Sequence, residues 1–222
     1  MRSRPVVAID GPSGAGKSTV AGLLARELGF ALVDTGSIYR AVAWLADRED
    51  IDWDDGPRLA RLASSREFDL EPDGLKIDGV APGDALRTAR IGNGASIVAR
   101  HRELRDVLLG VQRDLARDGG VVLEGRDIGT IVVPDAEIKF FLTAEVAERA
   151  RRRWSELRER GEEISLERVE REQRKRDRAD SERKHSPLRR AGDAVVIDCT
   201  NLGIDEVVSS MKNRVKNRFP LT

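Results

Sequence analysis

Lys17 and Ser18 close the run Gly11-Pro12-Ser13-Gly14-Ala15-Gly16-Lys17-Ser18, which fits the pattern G-x-x-x-x-G-K-[ST]. Glycines let the backbone turn tightly and aim several N–H groups at one anion. The helix expected to follow adds its positive end. Lys17 can reach the β- and γ-phosphates of a nucleoside triphosphate, and the Ser18 hydroxyl is a natural Mg²⁺ ligand. The context decides between a ligand site and a mere Gly-rich turn. A buried apolar run, Val6–Asp10, precedes the loop. Thr19 and the helical spacing of Val20, Leu23, Leu24 and Leu28 follow it, with Gly29 as the stop.

A triphosphate loop serves motors, switch GTPases and small-molecule kinases. The Asn-Lys-x-Asp base-reading motif of a GTPase is missing. The apolar strands end Leu123-Glu124-Gly125 and Phe141-Leu142-Thr143, not in the Asp-Glu of a motor ATPase. A kinase needs an acceptor site, and an anionic acceptor calls for arginines with forked geometry. Asp34-Thr35-Gly36-Ser37-Ile38-Tyr39-Arg40 follows one predicted strand, and Glu124-Gly125-Arg126-Asp127 follows another. One such arginine is ordinarily a solvated surface charge. Two at strand ends beside a phosphate loop point to a site.

The elements that must hold these residues follow a strand–helix alternation. Strands are predicted at Val6–Asp10, Ala31–Asp34, Val121–Glu124, Ile138–Leu142 and Ala194–Ile197. Helices carry Ile38, Val42 and Leu45; Leu104, Val107, Leu108, Val111 and Leu115 (about Ile97–Arg117); and Val207, Val208, Met211 and Val215. This is the signature of an α/β fold, a three-layer arrangement with a five-stranded parallel sheet. Ligands then gather beyond the carboxyl ends of the strands. One unit spans 1–222, with a core at about 1–49, 91–150 and 190–222. Residues 50–90, broken by Pro57, Pro72, Gly74, Gly79, Pro82 and Gly83, read as a small β-rich insertion with strands near Glu67–Leu70 and Leu75–Ile77. Ala144 to about Arg190 is helical in pattern and crowded with charge: residues 145–190 hold 16 Lys/Arg and 12 Asp/Glu. It reads as a solvated helical hairpin that also serves, over about 151–189, as a mobile helical lid.

Composition bounds the rest. Of 222 residues 40% are apolar, enough for a core, but only 4% are aromatic, so aliphatic side chains must fill it. The 39 basic residues balance the 39 acidic ones, which argues against a general nucleic-acid or anionic-membrane binder. No apolar run reaches membrane-spanning length, and MRSRPVVAID enters a strand with no cleavable apolar region. The single cysteine, Cys199, excludes an internal disulfide, and His101 and His185 are too few for a metal pair. The expectation is a cytoplasmic protein, read as a monomer because nothing looks like an obligate interface.

With these motifs in place, the chain resembles the bacterial-type cytidylate kinases, P-loop nucleoside monophosphate kinases. The resemblance rests on IDGPSGAGKST, DTGSIYRAVA, LEGRDIGTIVVPDAEIKFFLTA, RDRADSERKHSPL and DAVVIDCTNLGIDEVV, in family order across nearly the whole chain. A β-rich insertion in the monophosphate-binding region is also a mark of that family. It implies transfer of the γ-phosphoryl group of ATP to CMP or dCMP, with Mg²⁺. It implies a phosphate grip at Arg40, Arg126 and Arg183, with Arg176 and Asp180 near the acceptor sugar. It places base reading on Ser96, Arg105 and Asp127, and donor contacts on the lid arginines Arg149 and Arg153. Cytosine offers an amino donor to Asp127 and acceptors to Arg105, whereas uracil would turn a carbonyl oxygen on the carboxylate. Tyr39 lines the base or ribose pocket or simply packs. Departures are small: Ser37 stands where many relatives carry alanine, and Thr35 where some carry serine. The competing readings are a P-loop kinase for another small acceptor and a module that binds ATP without turnover.

Overall fold

The computed structural model describes residues 2–71, 74–159 and 161–219. Five strands form one parallel sheet: β1 (Val6–Asp10), β2 (Ala31–Asp34), β5 (Val121–Gly125), β6 (Ile138–Thr143) and β7 (Val195–Asp198), in the order β2-β5-β1-β6-β7. The strands match the predicted ones to within a residue or two. The register sets Asp34 opposite Glu124, and Glu124 opposite Ile9, at the carboxyl edge.

Alternation along β1 splits the core. Val7 and Ile9 face α1 (Lys17–Leu28) and α8 (Ile204–Arg218), with Leu24, Phe140, Leu142 and Met211. Val6 and Ala8 face the other layer, with Val33, Leu123 and Ile128. The sheet is therefore covered on both faces, as parallel sheets must be.

The region read as β-rich is mixed. Its expected strands form the hairpin of β3 (Phe68–Glu71) and β4 (Gly74–Ile77). It also holds α3 (Gly56–Ser64), started by Asp55, which accepts a hydrogen bond from the Arg58 N–H. Gly56 and Pro57 look like breakers in sequence, yet proline suits the first turn of a helix, where its missing N–H costs nothing. The helix expected over about Ile97–Arg117 is α5 (Arg102–Ala116), and a further helix not expected from sequence, α4 (Ala89–Val98), capped by Thr88, precedes it. Both pack with α2 (Thr35–Arg48) in one apolar cluster around Ile38, Leu59, Val98, Leu104 and Leu108. The insertion thus shares its core with the element carrying Tyr39 and Arg40.

The charged segment forms the expected helical hairpin, α6 (Val146–Glu159) and α7 (Leu166–Glu182), which ends short of Arg190. Ser165 caps α7 at the Arg168 N–H. Ala150, Leu157 and Val169 give the hairpin a small core of its own. No helix among the described residues is long and apolar enough to cross a membrane.

Gly11 shows how tightly the phosphate loop is set against the sheet. Its φ is +151°, and a Cβ there would lie 2.1 Å from the Leu142 carbonyl oxygen. Gly11→Ala should therefore lower stability by about 1–3 kcal/mol through overpacking, seen as a drop of several degrees in Tm. An unchanged Tm would contradict this packing.

Candidate functional site

Four of the eight α-helices among the described residues begin with a side-chain cap: Asp34, Asp55, Thr88 and Ser165 each accept a first-turn N–H. Helix α1 does not. Gly16 stands at its N-cap with φ 87°, no side chain caps it, and its first turn holds no acidic residue. Its free N–H groups and dipole are left to an outside acceptor. Lys17 is buried beside them, and its Nζ donates to the Pro12 carbonyl (2.8 Å). Loss of hydration, then the fields of Arg126 and Arg176, lower its pKa to about 7, with Glu124 and Asp10 opposing.

The same crowding reaches Arg176. Loss of hydration in the crevice and then Arg126, with weaker contributions from Arg40 and Arg153, lower its pKa to about 10, although Asp180 pulls the other way. Lys17, Arg40, Arg126, Arg153 and Arg176, called separately from sequence, therefore share one positive field. Carboxylates hold some of them. Asp34 accepts from Arg40 Nη2 (2.6 Å), and Asp180 on α7 accepts from Arg126 Nε (2.9 Å). Burial opposes the charge of Asp180, but Arg126 and Arg183 prevail and lower its pKa.

A second set sits nearby. Arg105 Nη2 donates to Asp127 Oδ2 (2.5 Å) in a buried pair, and its guanidinium lies 5.5 Å from the centre of the Tyr39 ring. Burial works against the Arg105 charge, yet Tyr39 and Asp127 outweigh it and raise its pKa. The Arg183 charge also reaches Tyr39. Thr35 donates to the Glu124 carbonyl (2.7 Å), which ties α2 to β5. Ser96 uses its hydroxyl within α4, donating to Gly92 O (3.3 Å).

Two residues behave differently from the simplest expectation. Arg149 is buried and braces the loop: Nε donates to Ala144 O (2.8 Å), Nη1 to Ser13 O (2.9 Å), and both Nη atoms to Asp177 of α7 (3.1 and 2.7 Å). Arg153 is partly exposed and pairs with Glu156 (3.0 Å) on its own helix.

Sequence reasoning passed over several polar groups. Asp10, at the end of β1, accepts from the Ile128 and Gly129 N–H groups (2.8 Å each). Burial raises its pKa to about 6 against those two bonds. Glu124 is buried, and its pKa is raised by burial and then by Asp34, against the lowering influence of Lys17 and the nearby Ser18 hydroxyl. Its position at a strand end beside the loop was the available signal. Gln173 of α7 is buried with its Nε2 near Gly14.

Buried polar atoms are rarely left without partners. Among the described residues six side-chain atoms lack a hydrogen bond: Arg40 Nε, Arg66 Nε, Arg105 Nε, Arg183 Nη2, Glu124 Oε1 and Gln173 Oε1, of which Arg183 Nη2 has only an ion pair with Asp180 Oδ1 at 3.7 Å. All but Arg66 belong to residues of this site or the lid beside it. Donors aimed at an absent acceptor suit an anionic, polar ligand. Glu124 Oε1 beside the Ser18 hydroxyl suits a divalent cation, since both are oxygen ligands of the hard type. No cluster of three or more His, Cys, Asp or Glu among the described residues could hold a metal by itself, so phosphate oxygens would have to complete such a site.

Residues 7–217 match the family model for cytidylate kinase. The chain belongs to that family. It is 48% identical over 217 residues to the cytidylate kinase of Geobacter sulfurreducens, covering 96% of this chain and 93% of that one. It is 47% identical to the cytidylate kinase of Pelotomaculum thermopropionicum, with 97% of each chain covered. A solved structure of an uncharacterized protein from Eubacterium ventriosum shares the fold at 13% identity, with a TM-score of 0.54 and 96% and 99% of the two chains covered. As a family member the chain is a nucleoside monophosphate kinase that phosphorylates CMP.

With the free Lys17 pKa near 7, binding a triphosphate must recharge it at higher pH, since the anion raises the bound pKa. Nucleotide affinity should fall as pH rises above 7. Calorimetry near pH 8, in buffers of different ionisation enthalpy, should show proton uptake approaching about one per site that vanishes in Lys17→Met. Equal heats in every buffer would contradict the assignment.

Proposed function

We propose that this enzyme transfers the γ-phosphoryl group of ATP to CMP and dCMP, and that the unpartnered guanidinium atoms of Arg40, Arg105 and Arg183 mark the acceptor side. That observation carries the residue assignments. The loop Gly11–Ser18 with Thr19 and the uncapped start of α1 holds the donor phosphates, with Lys17 reaching the transferred group. Arg40, Arg126 and Arg183 grip the acceptor phosphate, with Arg176 and Asp180 beside its sugar. Arg105 and Asp127 read the cytosine edge, with Ser96 and Tyr39 lining the pocket and Thr35 fixing its floor.

The arrangement of Arg149 supports a bracing part in donor binding, through Ser13, and that of Arg153 a mobile cation near the transferring phosphate. Ser18 and Glu124 are the residues suited to hold Mg²⁺ with ATP. Mg²⁺ bound there supplies charge neutralisation at the β- and γ-phosphates.

The chemistry asks little covalent work of the protein. A phosphate oxygen of CMP attacks the γ-phosphorus in line, the bond to the β–γ bridging oxygen breaks, and ADP leaves. A phosphate monoester is largely ionised near neutral pH, so no strong general base is needed. Catalysis is positioning plus charge stabilisation by Lys17, Arg126, Arg153, Arg176 and Arg183, with the lid excluding water. A cytoplasmic enzyme fits the single, buried cysteine, and a monomer fits the small number of exposed large apolar side chains among the described residues.

A coupled assay of ADP release with ATP and Mg²⁺ should show fast turnover with CMP and dCMP and much slower turnover with UMP, AMP and shikimate. Turnover with none would overturn the reading. Arg126→Ala and Arg183→Ala should each lower kcat by about 100-fold or more; wild-type constants in both would remove their role. Asp127→Ala should shrink the CMP-over-UMP ratio in kcat/KM by roughly 10-fold or more, and an unchanged ratio would exclude base reading by that carboxylate.

A further inference from the structure

Asp10 is a buried carboxylate with no part in the transfer chemistry above. It is 3% exposed at the end of β1, one residue before the phosphate loop. A carboxylate in such surroundings is costly unless it is hydrogen-bonded. Its two oxygens take separate partners: Oδ1 accepts from the Ile128 N–H and Oδ2 from the Gly129 N–H, at 2.8 Å each. These are the first two N–H groups of a short, wide helical turn, Ile128–Val132, that directly follows Arg126 and Asp127. The leading N–H groups of a helical turn have no partners within it.

The peptide plane after Asp127 is thereby held at both edges. Its N–H, that of Ile128, meets Asp10. Its carbonyl, that of Asp127, accepts from the N–H groups of Ile131 (2.8 Å) and Val132 (3.1 Å). A planar peptide gripped on both edges cannot rotate, so the direction in which the Asp127 side chain leaves the chain is set. The stretch is fixed on its other side too. Gly125 ends β5 opposite Asp10, and a Cβ there would lie 2.7 Å from Ile128 Cδ1 and 2.8 Å from Thr35 Oγ1. Arg126 and Asp127 thus bridge two fixed points, and their side chains diverge: Arg126 Nε donates to Asp180, and Asp127 accepts from Arg105. Gly129 leaves the turn little room to slip. A Cβ there would lie 3.0 Å from Lys139 Cδ and 3.4 Å from Asp10 Oδ2, and Lys139 is itself tied to the Pro134 carbonyl and to Asp193.

We propose that Asp10 is a positioning residue for the acceptor: by holding the Ile128 and Gly129 N–H groups it fixes the Arg126–Asp127 span, so that Asp127 faces Arg105 and Arg126 faces the phosphate crevice. The inference rests on the reading of Arg126 and Asp127 as acceptor residues. It makes the strand end that opens the donor loop the anchor of the acceptor turn as well.

The test uses Asp10→Asn, close in size, whose amide keeps one acceptor and turns a donor on the second N–H. Gly129→Ala presses on the same contact and leaves in place the charge of Asp10, which also acts on Lys17. CMP and UMP are varied at saturating ATP, ATP is varied at saturating CMP, and Tm is measured for each protein. Asp10→Asn should raise KM for CMP and lower the CMP-to-UMP ratio of kcat/KM by roughly three- to ten-fold. Gly129→Ala should move both in the same direction, with KM for ATP unchanged. Because Asp10 acts through Asp127, adding Asp10→Asn to Asp127→Ala should leave the ratio where Asp127→Ala alone puts it, and a further fall would overturn the inference. If Asp10→Asn does not fold, Gly129→Ala alone must move the ratio, or the inference fails. A lower Tm with the CMP and ATP constants worsening together at an unchanged ratio would mean a packing role only and would overturn it. A ratio that moves with Asp127→Ala but with neither Asp10→Asn nor Gly129→Ala overturns this inference alone. A ratio that moves with none of the three overturns base reading by Asp127 and this inference with it.

Discussion

Lys17 is held where burial already works against its charge, within the positive fields of Arg126 and Arg176. Arg176 is held in the same way, with Arg40 and Arg153 adding to the field. A fold does not gather so many cations without a reason, because their repulsion is a standing cost to the empty protein. Phosphate groups would remove that cost, and the proposed function brings them on both substrates. The bonds among the side chains serve the empty site meanwhile: Pro12 receives Lys17, Asp34 receives Arg40, and Asp180 receives Arg126. Each is a partner that a nucleotide can replace or join.

The architecture follows from placing this charge. Adjacent parallel strands end together, which brings Asp10, Asp34 and Glu124 to one edge beside the loop. Asp10 ties the end of β1 to the turn that follows Arg126 and Asp127. Thr35 ties the start of α2, and so Tyr39 and Arg40, to β5. Helix α7 carries Arg176 and Asp180, with Arg183 at its end, and its Asp177 is joined to the phosphate loop through Arg149. Moving α7 away would break the Arg126–Asp180 pair and loosen the bond that holds the loop.

Local patterns made much of this legible in the sequence. The phosphate loop, the five strands and α1 depend on short-range signals: glycine spacing, apolar runs and a helical period. Their chemistry could be read before their contacts. Helix α3 was hidden because Gly56 and Pro57 read as breakers, while the Asp55 cap that makes them a helix start was overlooked. Helix α4 was hidden because Gly92, Asn93 and Gly94 in its middle are poor helix formers that read as a loop. In the site, the arginines were legible because charges at strand ends are conspicuous. Their partners were not. Asp177 and Gln173 look like ordinary polar positions on an amphipathic helix, and only the packing of α7 shows what they face. For Arg149 the sequence suggests donor contact, and the structure shows in addition one hydrogen bond to the loop at Ser13 and two to Asp177 of α7, besides one to Ala144.

The central claim is that the crevice is an anion site first and a cytosine site second. Thermal unfolding with cytidine, CMP and a bisubstrate analogue joining adenosine and cytidine through a polyphosphate tests it directly, since a ligand that binds the folded state raises Tm in proportion to its affinity. The account predicts little shift with cytidine, a clear shift with CMP that shrinks as salt is added, and the largest shift with the bisubstrate analogue. Equal stabilisation by cytidine and CMP, independent of salt, would contradict it.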